Sequence, residues 1–174
     1  MIYVTRPDLP NLDNLSPYLE KLWNSRILTN SGEFHNELEF KLSKFLGVNH
    51  VSLFNNATTA LLVSLRALGI TGSVITTPYS FVATSHSLLW NGLKPIFVDI
   101  SPTSFNIDPQ KIERAITSDT SCILAVHCYG ESCNTEDLDL IAKKYNLKII
   151  YDAAHSFGVI KDNQSILNQI GRAH

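Results

Sequence analysis

The sequence predicts an α/β domain, a three-layer αβα arrangement in which helices cover both faces of a mainly parallel sheet. Short apolar segments that favour strands alternate with longer helical segments from about residue 51 to residue 151. The run at 149–151 is apolar throughout, as expected of a strand covered on both faces. Hydrophobic residues make up 44% of the 174 residues and charged residues only 17%, which indicates extensive burial.

Two helices are expected before the first strand. The first covers about residues 12–23 and is followed by a polar turn at 29–32. The second covers about residues 33–45, and Gly47 is expected to end it. Its apolar residues recur at helical spacing: Phe34, Leu38, Leu42 and Phe45.

Strands and helices then alternate along the chain. The expected strands cover residues 51–54, 73–77, 95–98, 123–126 and 148–151. The expected helices between them cover residues 58–68, 82–90, 109–116 and 136–145. This succession implies a mainly parallel sheet but does not determine the order of the strands.

Composition argues against several classes of function. The net charge of −2 gives no electrostatic basis for binding nucleic acid or an anionic membrane. Residues 67–93 carry no formal charge, but glycines and a proline interrupt them, so a buried strand-loop-helix unit fits better than a membrane span. Three cysteines and no secretion signal favour reduced thiols in the cytoplasm. Zinc is the alternative for these thiols, although the neighbours His127 and Cys128 would face opposite sides of a strand.

An acidic residue, Asp152, directly follows the apolar run at 149–151. A buried carboxylate is costly unless it meets a cation or several hydrogen-bond donors. The carboxyl ends of strands in open α/β sheets are also where ligands bind. Asp152 is therefore a candidate anchor for a cationic ligand, and the alternative is that it caps a helix that starts at Ala153.

A second candidate lies at residues 55–61, where the first expected strand turns into a helix. Ala57 lets the backbone come close to a ligand, and the free amides and the hydroxyl of Thr58 could bind a phosphate. The alternative is plain capping of the helix by Asn56 or Thr58. A third candidate is Phe81, which could stack on a flat heterocycle or belong to the core.

Together these features describe an aromatic ligand with a phosphate at one end and a basic ring nitrogen at the other. Pyridoxal 5'-phosphate has this shape, and its chemistry needs an acid that keeps the ring nitrogen protonated. A charge-assisted hydrogen bond of this kind is worth about 1.5–3 kcal/mol.

The chain resembles the DegT/DnrJ/EryC1/StrS family of sugar aminotransferases, a fold-type-I group of pyridoxal-phosphate enzymes. The matching stretches follow the family's order from about residue 26 to residue 168. They are LTNSG at 28–32, NATTAL at 56–61, TPYSFVAT at 77–84, PIFVDI at 95–100, NIDP at 106–109, VHCYG at 126–130 and DAAH at 152–155.

The resemblance implies a role for each candidate residue. Ala57 and Thr58 would hold the cofactor phosphate, Phe81 would stack on the ring, and Asp152 would pair with the ring nitrogen. His155 would lie near the phenolic oxygen, at a position where the family often has glutamine. Both side chains can donate a hydrogen bond there, but the charge of histidine depends on pH.

The resemblance also implies a domain plan. Residues 1–30 would form an N-terminal helical arm, and residues 31–174 would form a partial, truncated large domain that binds the cofactor. The family's catalytic lysine, which forms a Schiff base with the cofactor, would lie beyond the chain end together with a small C-terminal domain. No catalytic residue and no metal ligand is therefore assigned, and Lys161 stands too early to be that lysine.

The implied activity is transfer of an amino group, by family habit from glutamate, to a keto group of a nucleotide-linked deoxysugar. The family works as a cytoplasmic homodimer with active sites at the subunit interface. Two alternatives stay open. One is a lysine-free sugar dehydratase of the same fold, and the other is a non-catalytic α/β binding protein with vestigial motifs.

Overall fold

The computed structural model describes residue 2 and residues 6–170, and the chain divides into two compact units, Met1–Lys41 and Leu42–His174. In the first unit, helix α1 covers Leu12–Ser25, and the side chain of Asn11 caps it by accepting the N–H of Asp13 at 3.1 Å. Helix α2 covers Glu33–Leu46 and begins in this unit. The ring of Phe34 in α2 packs against Tyr18 of α1, with ring centroids 5.3 Å apart. Both expected helices are confirmed.

The second unit contains a four-stranded sheet in which every pair of neighbouring strands is parallel. Its strands are β1 at Ser73–Thr76, β2 at Lys94–Phe97, β3 at Thr120–Val126 and β4 at Lys148–Asp152. Their order across the sheet is β2-β1-β3-β4. The register places Val126 of β3 opposite Asp152 of β4, so these two side chains lie on the same face.

One helix precedes the sheet, and the other helices connect its strands as the sequence predicts. Helix α3 covers Ala57–Ala67, α4 covers Val82–Trp90, α5 covers Pro109–Ile112 and α6 covers Thr135–Tyr145. The expected helix at 109–116 is α-helical only in α5, and it continues as a 3₁₀ turn at Glu113–Ala115. Beyond the sheet, strands β5 at Ile160–Lys161 and β6 at Gln164–Ser165 form a small hairpin, followed by helix α7 at Ile166–Ile170.

The core lies on both faces of the sheet. On one face, Leu61 and Leu65 of α3 and Leu88 of α4 pack with Val74 and Leu124. On the other face, Ile112 of α5 and Leu138 and Ile141 of α6 pack with strand side chains. These strand residues are Ile75, Ile123 and Ala125. Two helical layers therefore enclose the sheet, which confirms the three-layer αβα prediction.

One expected strand does not form. Residues 51–54 are apolar and favour extended structure, but they have no regular secondary structure. A β-favouring segment becomes a strand only where another strand lies beside it. In the described part of the chain the sheet contains β1 to β4 alone, so the prediction of a strand at 51–54 is wrong.

Among the residues that the structure describes, no helix is both long enough and apolar enough to span a membrane.

Candidate functional site

Asp152 ends β4 as a carboxylate that is only 9% exposed. Its Oδ2 accepts a hydrogen bond from Thr84 Oγ1 at 2.7 Å, and its Oδ1 accepts one from the N–H of Ala154 at 3.2 Å. No described lysine, arginine or histidine forms an ion pair with it. Residues 153–159 form turns rather than a helix, so the structure contradicts the capping alternative. The Asp152 carboxyl group is therefore buried with two neutral donors, and the residues that the structure describes offer it no cation.

Two hydroxyl groups, one just before helix α4 and one in its first turn, support this carboxylate. The hydroxyl of Thr84, which is 1% exposed, donates its only hydrogen to Asp152. Ser80 Oγ lies 2.6 Å from Thr84 Oγ1, so Ser80 must donate to Thr84. Neither residue is predicted as a site residue from the sequence. Ser80 and Thr84 are one helical turn apart, but nothing in that spacing identifies Asp152 as the acceptor.

Phe81 stands at the N-cap of α4, and its carbonyl accepts the N–H of Thr84 at 3.1 Å. Its side chain is 71% exposed, so the core alternative for this residue is wrong. Because Thr84 binds Asp152, the exposed ring of Phe81 belongs to the same turn that carries the carboxylate's donor.

Helix α3 places its N terminus at the same edge of the sheet as Asp152. Leu61 and Leu65 pack on the sheet, and residues 68–72 join the helix to the start of β1. Because this connection is short, α3 runs antiparallel to β1, and its first turn points toward the carboxyl ends of the strands. The N terminus of α3 therefore lies at the edge where ligands bind in open α/β sheets.

The first turn of α3 has an internal cap and free amides. Asn56 Oδ1 accepts from the N–H of Thr59 at 2.8 Å and from its hydroxyl at 3.1 Å, as the capping alternative predicts for Asn56. The amides of Ala57 and Thr58 have no acceptor within the helix, and the described part of the chain gives them none. No acidic side chain stands in this turn, so it can accept an anion.

His155 lies in the turn after β4, three residues beyond Asp152, and is exposed. Its Nδ1 accepts a hydrogen bond from the N–H of Tyr129 at 3.3 Å. The two rings are nearly parallel, with an interplanar angle of 6° and centroids 6.0 Å apart.

The structure thus brings some of the predicted residues together. Phe81 and Asp152 are linked through Thr84, and His155 follows Asp152 in the same loop. Ala57 and Thr58 share the sheet edge but make no direct hydrogen bond to the others.

The side chains that most often bind metal ions are not grouped together in the part of the chain that the structure describes. The described residues contain no group of three or more His, Cys, Asp and Glu side chains that could hold a metal ion. Cys122, Cys128 and Cys133 are free and buried.

The fold is that of the large domain of the fold-type-I aminotransferases, of which this chain covers a part. The chain belongs to the DegT/DnrJ/EryC1/StrS aminotransferase family, whose model matches residues 13–172.

Two similar curated proteins share a name. A protein named dTDP-4-amino-4,6-dideoxy-D-glucose transaminase from Escherichia coli is 63% identical over 158 residues, which cover 91% of this chain and 43% of that protein. A protein of the same name from Shigella dysenteriae is 58% identical over 95% of this chain and 45% of its own length. The chain therefore spans less than half the length of these relatives.

Solved structures agree with this family. DesI, whose crystal structure was determined in the presence of its TDP-sugar product, matches with a TM-score of 0.89 and 35% identity over 92% of this chain and 41% of its own. The ntda protein from Bacillus subtilis, solved with the bound cofactor PMP, matches with a TM-score of 0.76 and 35% identity, over 92% of this chain and 39% of its own.

Proposed function

We propose that this chain forms the cofactor-binding part of a pyridoxal-phosphate-dependent aminotransferase that acts on a keto group of a nucleotide-linked deoxysugar. The observation that carries the proposal is the buried Asp152 carboxylate, which has two neutral donors and no ion pair among the described residues. The transaminase names of the two relatives above support amino transfer over the dehydratase and the vestigial binding protein. By family habit the amino donor is glutamate.

The residues present fit pyridoxal 5'-phosphate. Asp152 would bind the protonated ring nitrogen, because its burial calls for a positive partner and the described part of the chain provides none. The free amides of Ala57 and Thr58 would bind the phosphate at the positive end of α3. Phe81 presents an exposed ring for stacking, and His155 would donate to the phenolic oxygen. When bound, the cofactor supplies an electron-withdrawing ring that stabilises negative charge at the reacting carbon.

In this proposal each protein group has a defined task. Thr84 and the amide of Ala154 hold Asp152 in place, with Ser80 donating to Thr84 in turn. The Asp152 carboxylate would accept the hydrogen bond of the ring N–H. The lysine that moves the substrate proton would come from the remainder of the whole protein. Lys161 is exposed in the β5–β6 hairpin and is not assigned this role.

Regions outside the cofactor site also have proposed roles in the whole protein. Residues 1–30 would act as an N-terminal helical arm, and residues 31–174 as a partial large domain that binds the cofactor. The whole protein would work in the cytoplasm as a homodimer, with the partner subunit completing the active site. The low share of charged residues, 17%, supports a buried subunit interface.

Titration of the 174-residue chain with pyridoxal 5'-phosphate, followed by absorbance, tests the proposal. We expect weak but saturable binding, and at least a tenfold loss of affinity in Asp152→Asn, because the charge-assisted hydrogen bond is worth about 1.5–3 kcal/mol. Asp162→Asn makes the same charge change at an exposed left-handed turn position that suits asparagine, so its affinity should equal the wild type. Equal affinity in Asp152→Asn and wild type would contradict the assigned pocket, provided that circular dichroism finds both variants folded.

A further inference from the structure

We propose that Tyr129 is a positioning residue that fixes His155 in the tautomer with its proton on Nε2. The N–H of Tyr129 donates to Nδ1 of His155 at 3.3 Å. A ring nitrogen that accepts a hydrogen bond carries no proton, so the neutral imidazole must hold its proton on the other nitrogen. This inference rests on the proposed function for its consequence, but the tautomer itself depends only on the protein.

The backbone at Tyr129 is held in an unusual conformation that directs its N–H. Tyr129 adopts left-handed angles, φ 53° and ψ 21°, which are uncommon for a bulky residue. Asn106, which is 2% exposed, holds the turn on both sides of Tyr129. Its Oδ1 accepts the N–H of Cys128 at 2.8 Å, and its Nδ2 donates to the carbonyl of Glu131 at 3.1 Å. The surrounding hydrogen bonds therefore maintain the strained turn.

The next residue brings this turn close to the loop after β4. Gly130 has φ +84°, and a Cβ at this position would lie 3.2 Å from the carbonyl oxygen of His155. A side chain here would adopt this left-handed φ at a cost, and its Cβ would fit only if the His155 carbonyl moved by a few tenths of an ångström. The glycine thus permits the close approach on which the hydrogen bond from Tyr129 depends.

The ring of Tyr129 also contacts two neighbouring aromatic side chains. Its hydroxyl lies 2.9 Å from the hydroxyl of Tyr79, and the rings of Tyr79 and Phe105 meet it edge-on with interplanar angles of 76° and 79°. His155 lies nearly parallel to this fixed ring. Both the donor and the stacking surface for His155 therefore come from one restrained residue.

The consequence for the proposed cofactor site is a donor of defined identity. The glutamine common in the family presents an N–H donor in every state, whereas neutral histidine can present its proton on either nitrogen. Because Nδ1 is occupied by the N–H of Tyr129, the proton on Nε2 is available to the phenolic oxygen. Tyr129 thus makes histidine equivalent to glutamine as a hydrogen-bond donor.

Long-range ¹H–¹⁵N correlation spectra of the ¹⁵N-labelled 174-residue chain test the tautomer directly. We expect His155 to show an unprotonated Nδ1 and a protonated Nε2 at neutral pH, with a scalar coupling across the hydrogen bond to the amide nitrogen of Tyr129. His155→Gln removes these signals and assigns them. His127 is a control within the same molecule, because its Nδ1 accepts the N–H of Cys133 at 3.0 Å. A protonated Nδ1 at His155, or a mixture of both tautomers, would overturn the proposal.

Two variants separate the positioning role from a general structural one. Tyr129→Phe keeps the ring and the amide and loses only the hydroxyl contact to Tyr79, so the His155 signals should stay in place. Tyr129→Gly keeps the amide in a conformation that glycine adopts readily but removes the stacking ring. We expect its coupling to His155 to weaken while His127 is unchanged. An undiminished coupling in Tyr129→Gly would overturn the role of the ring.

Adding pyridoxal 5'-phosphate distinguishes this inference from the proposed function. If the cofactor binds, the Nε2 signal of His155 should shift to a saturable limit as pyridoxal 5'-phosphate is added. Saturable binding without a shift at His155 would overturn the link between His155 and the cofactor. The expected tautomer in a chain that binds no cofactor would contradict the proposed function and leave the role of Tyr129 toward His155 supported.

Discussion

At the scale of single residues, His127 is the most completely enclosed ionisable group near the site. It is 0% exposed, and its ring stacks on Tyr151 at 4.9 Å with an interplanar angle of 9°. Its Nδ1 accepts the N–H of Cys133, while its Nε2 is buried with no hydrogen-bond partner among the described residues. Burial lowers the pKa of His127 from 6.5 to about 4, although the carboxylate of Asp152 acts in the opposite direction.

The stability of the chain should therefore depend on pH through His127. Between pH 6.5 and about 4 the unfolded chain binds a proton that the folded chain does not, so the free energy of unfolding falls as the pH decreases. The loss over this interval is about 3 kcal/mol at most. Urea unfolding at several pH values measures it.

A matched pair of variants assigns this pH dependence. His127→Asn keeps an acceptor for the N–H of Cys133 but cannot titrate, so its free energy of unfolding should vary less between pH 6.5 and 4. His86→Asn changes an exposed histidine and should retain the wild-type dependence. The same slope in His127→Asn as in wild type would contradict this assignment.

Single residues of the site differ in how far the sequence predicts them. Asp152 stands out because an acid directly after an apolar strand is costly, and that cost is visible in the sequence alone. Thr84 is equally important to the geometry, but its acceptor lies 68 residues away. A contact of that separation is determined by the pairing of strands, which the local sequence does not encode. The contact of Tyr129 is not predictable for the same reason, because its partner His155 lies 26 residues away.

At the scale of elements, the segment that joins α3 to β1, residues 68–72, contains two glycines with nearly equal φ angles. Gly69 has φ +64° and Gly72 has φ +66°. A Cβ at Gly69 would meet nothing within 4 Å, whereas one at Gly72 would overlap with the backbone oxygen of Asp119. That oxygen accepts the N–H of Ser73 at 2.9 Å as the sheet begins.

These two positions separate backbone strain from steric overlap. Gly69→Ala should lower the free energy of unfolding by about 1 kcal/mol, because alanine adopts left-handed angles unfavourably. Gly72→Ala should cost at least about twice as much, since the loop must also move away from Asp119. Urea denaturation of both variants measures the difference, and equal losses would rule out the steric contribution at Gly72.

The helices and strands also differ in how well local sequence patterns predict them. Helices α1 to α4 and α6 were predictable because their apolar periodicity, caps and glycine stops are local signals. The segment at 51–54 has the local signal of a strand but lacks a neighbouring strand in the described chain. The β5–β6 hairpin was missed because its strands are only two residues long and lie in a polar loop.

At the scale of the whole molecule, the sequence predicts the three layers but not the strand order. Any arrangement of parallel strands would satisfy the alternation of strands and helices. The order β2-β1-β3-β4 depends on which strands meet side by side, and β1 pairs with β3 across more than 40 residues of chain. This order brings Asp152 next to the turn that carries Tyr129, and therefore determines the candidate site.

Two of the three cysteines lie in this layered core, and Cys128 is buried in the turn after β3. Cys122, Cys128 and Cys133 are at most 4% exposed, and burial raises the pKa of the Cys122 and Cys133 thiols to about 12. Burial also raises the pKa of Cys128. Because only the thiolate attacks a disulfide reagent, all three should react slowly in the folded chain and rapidly in denaturant.

A colorimetric disulfide reagent measures this difference, and fast labelling of the folded chain would contradict the buried placement. If labelling is as slow as expected, its rate reports how often the interior opens to solvent. The native thiols then report the rate at which the core opens to solvent, and no dye has to be attached to the protein.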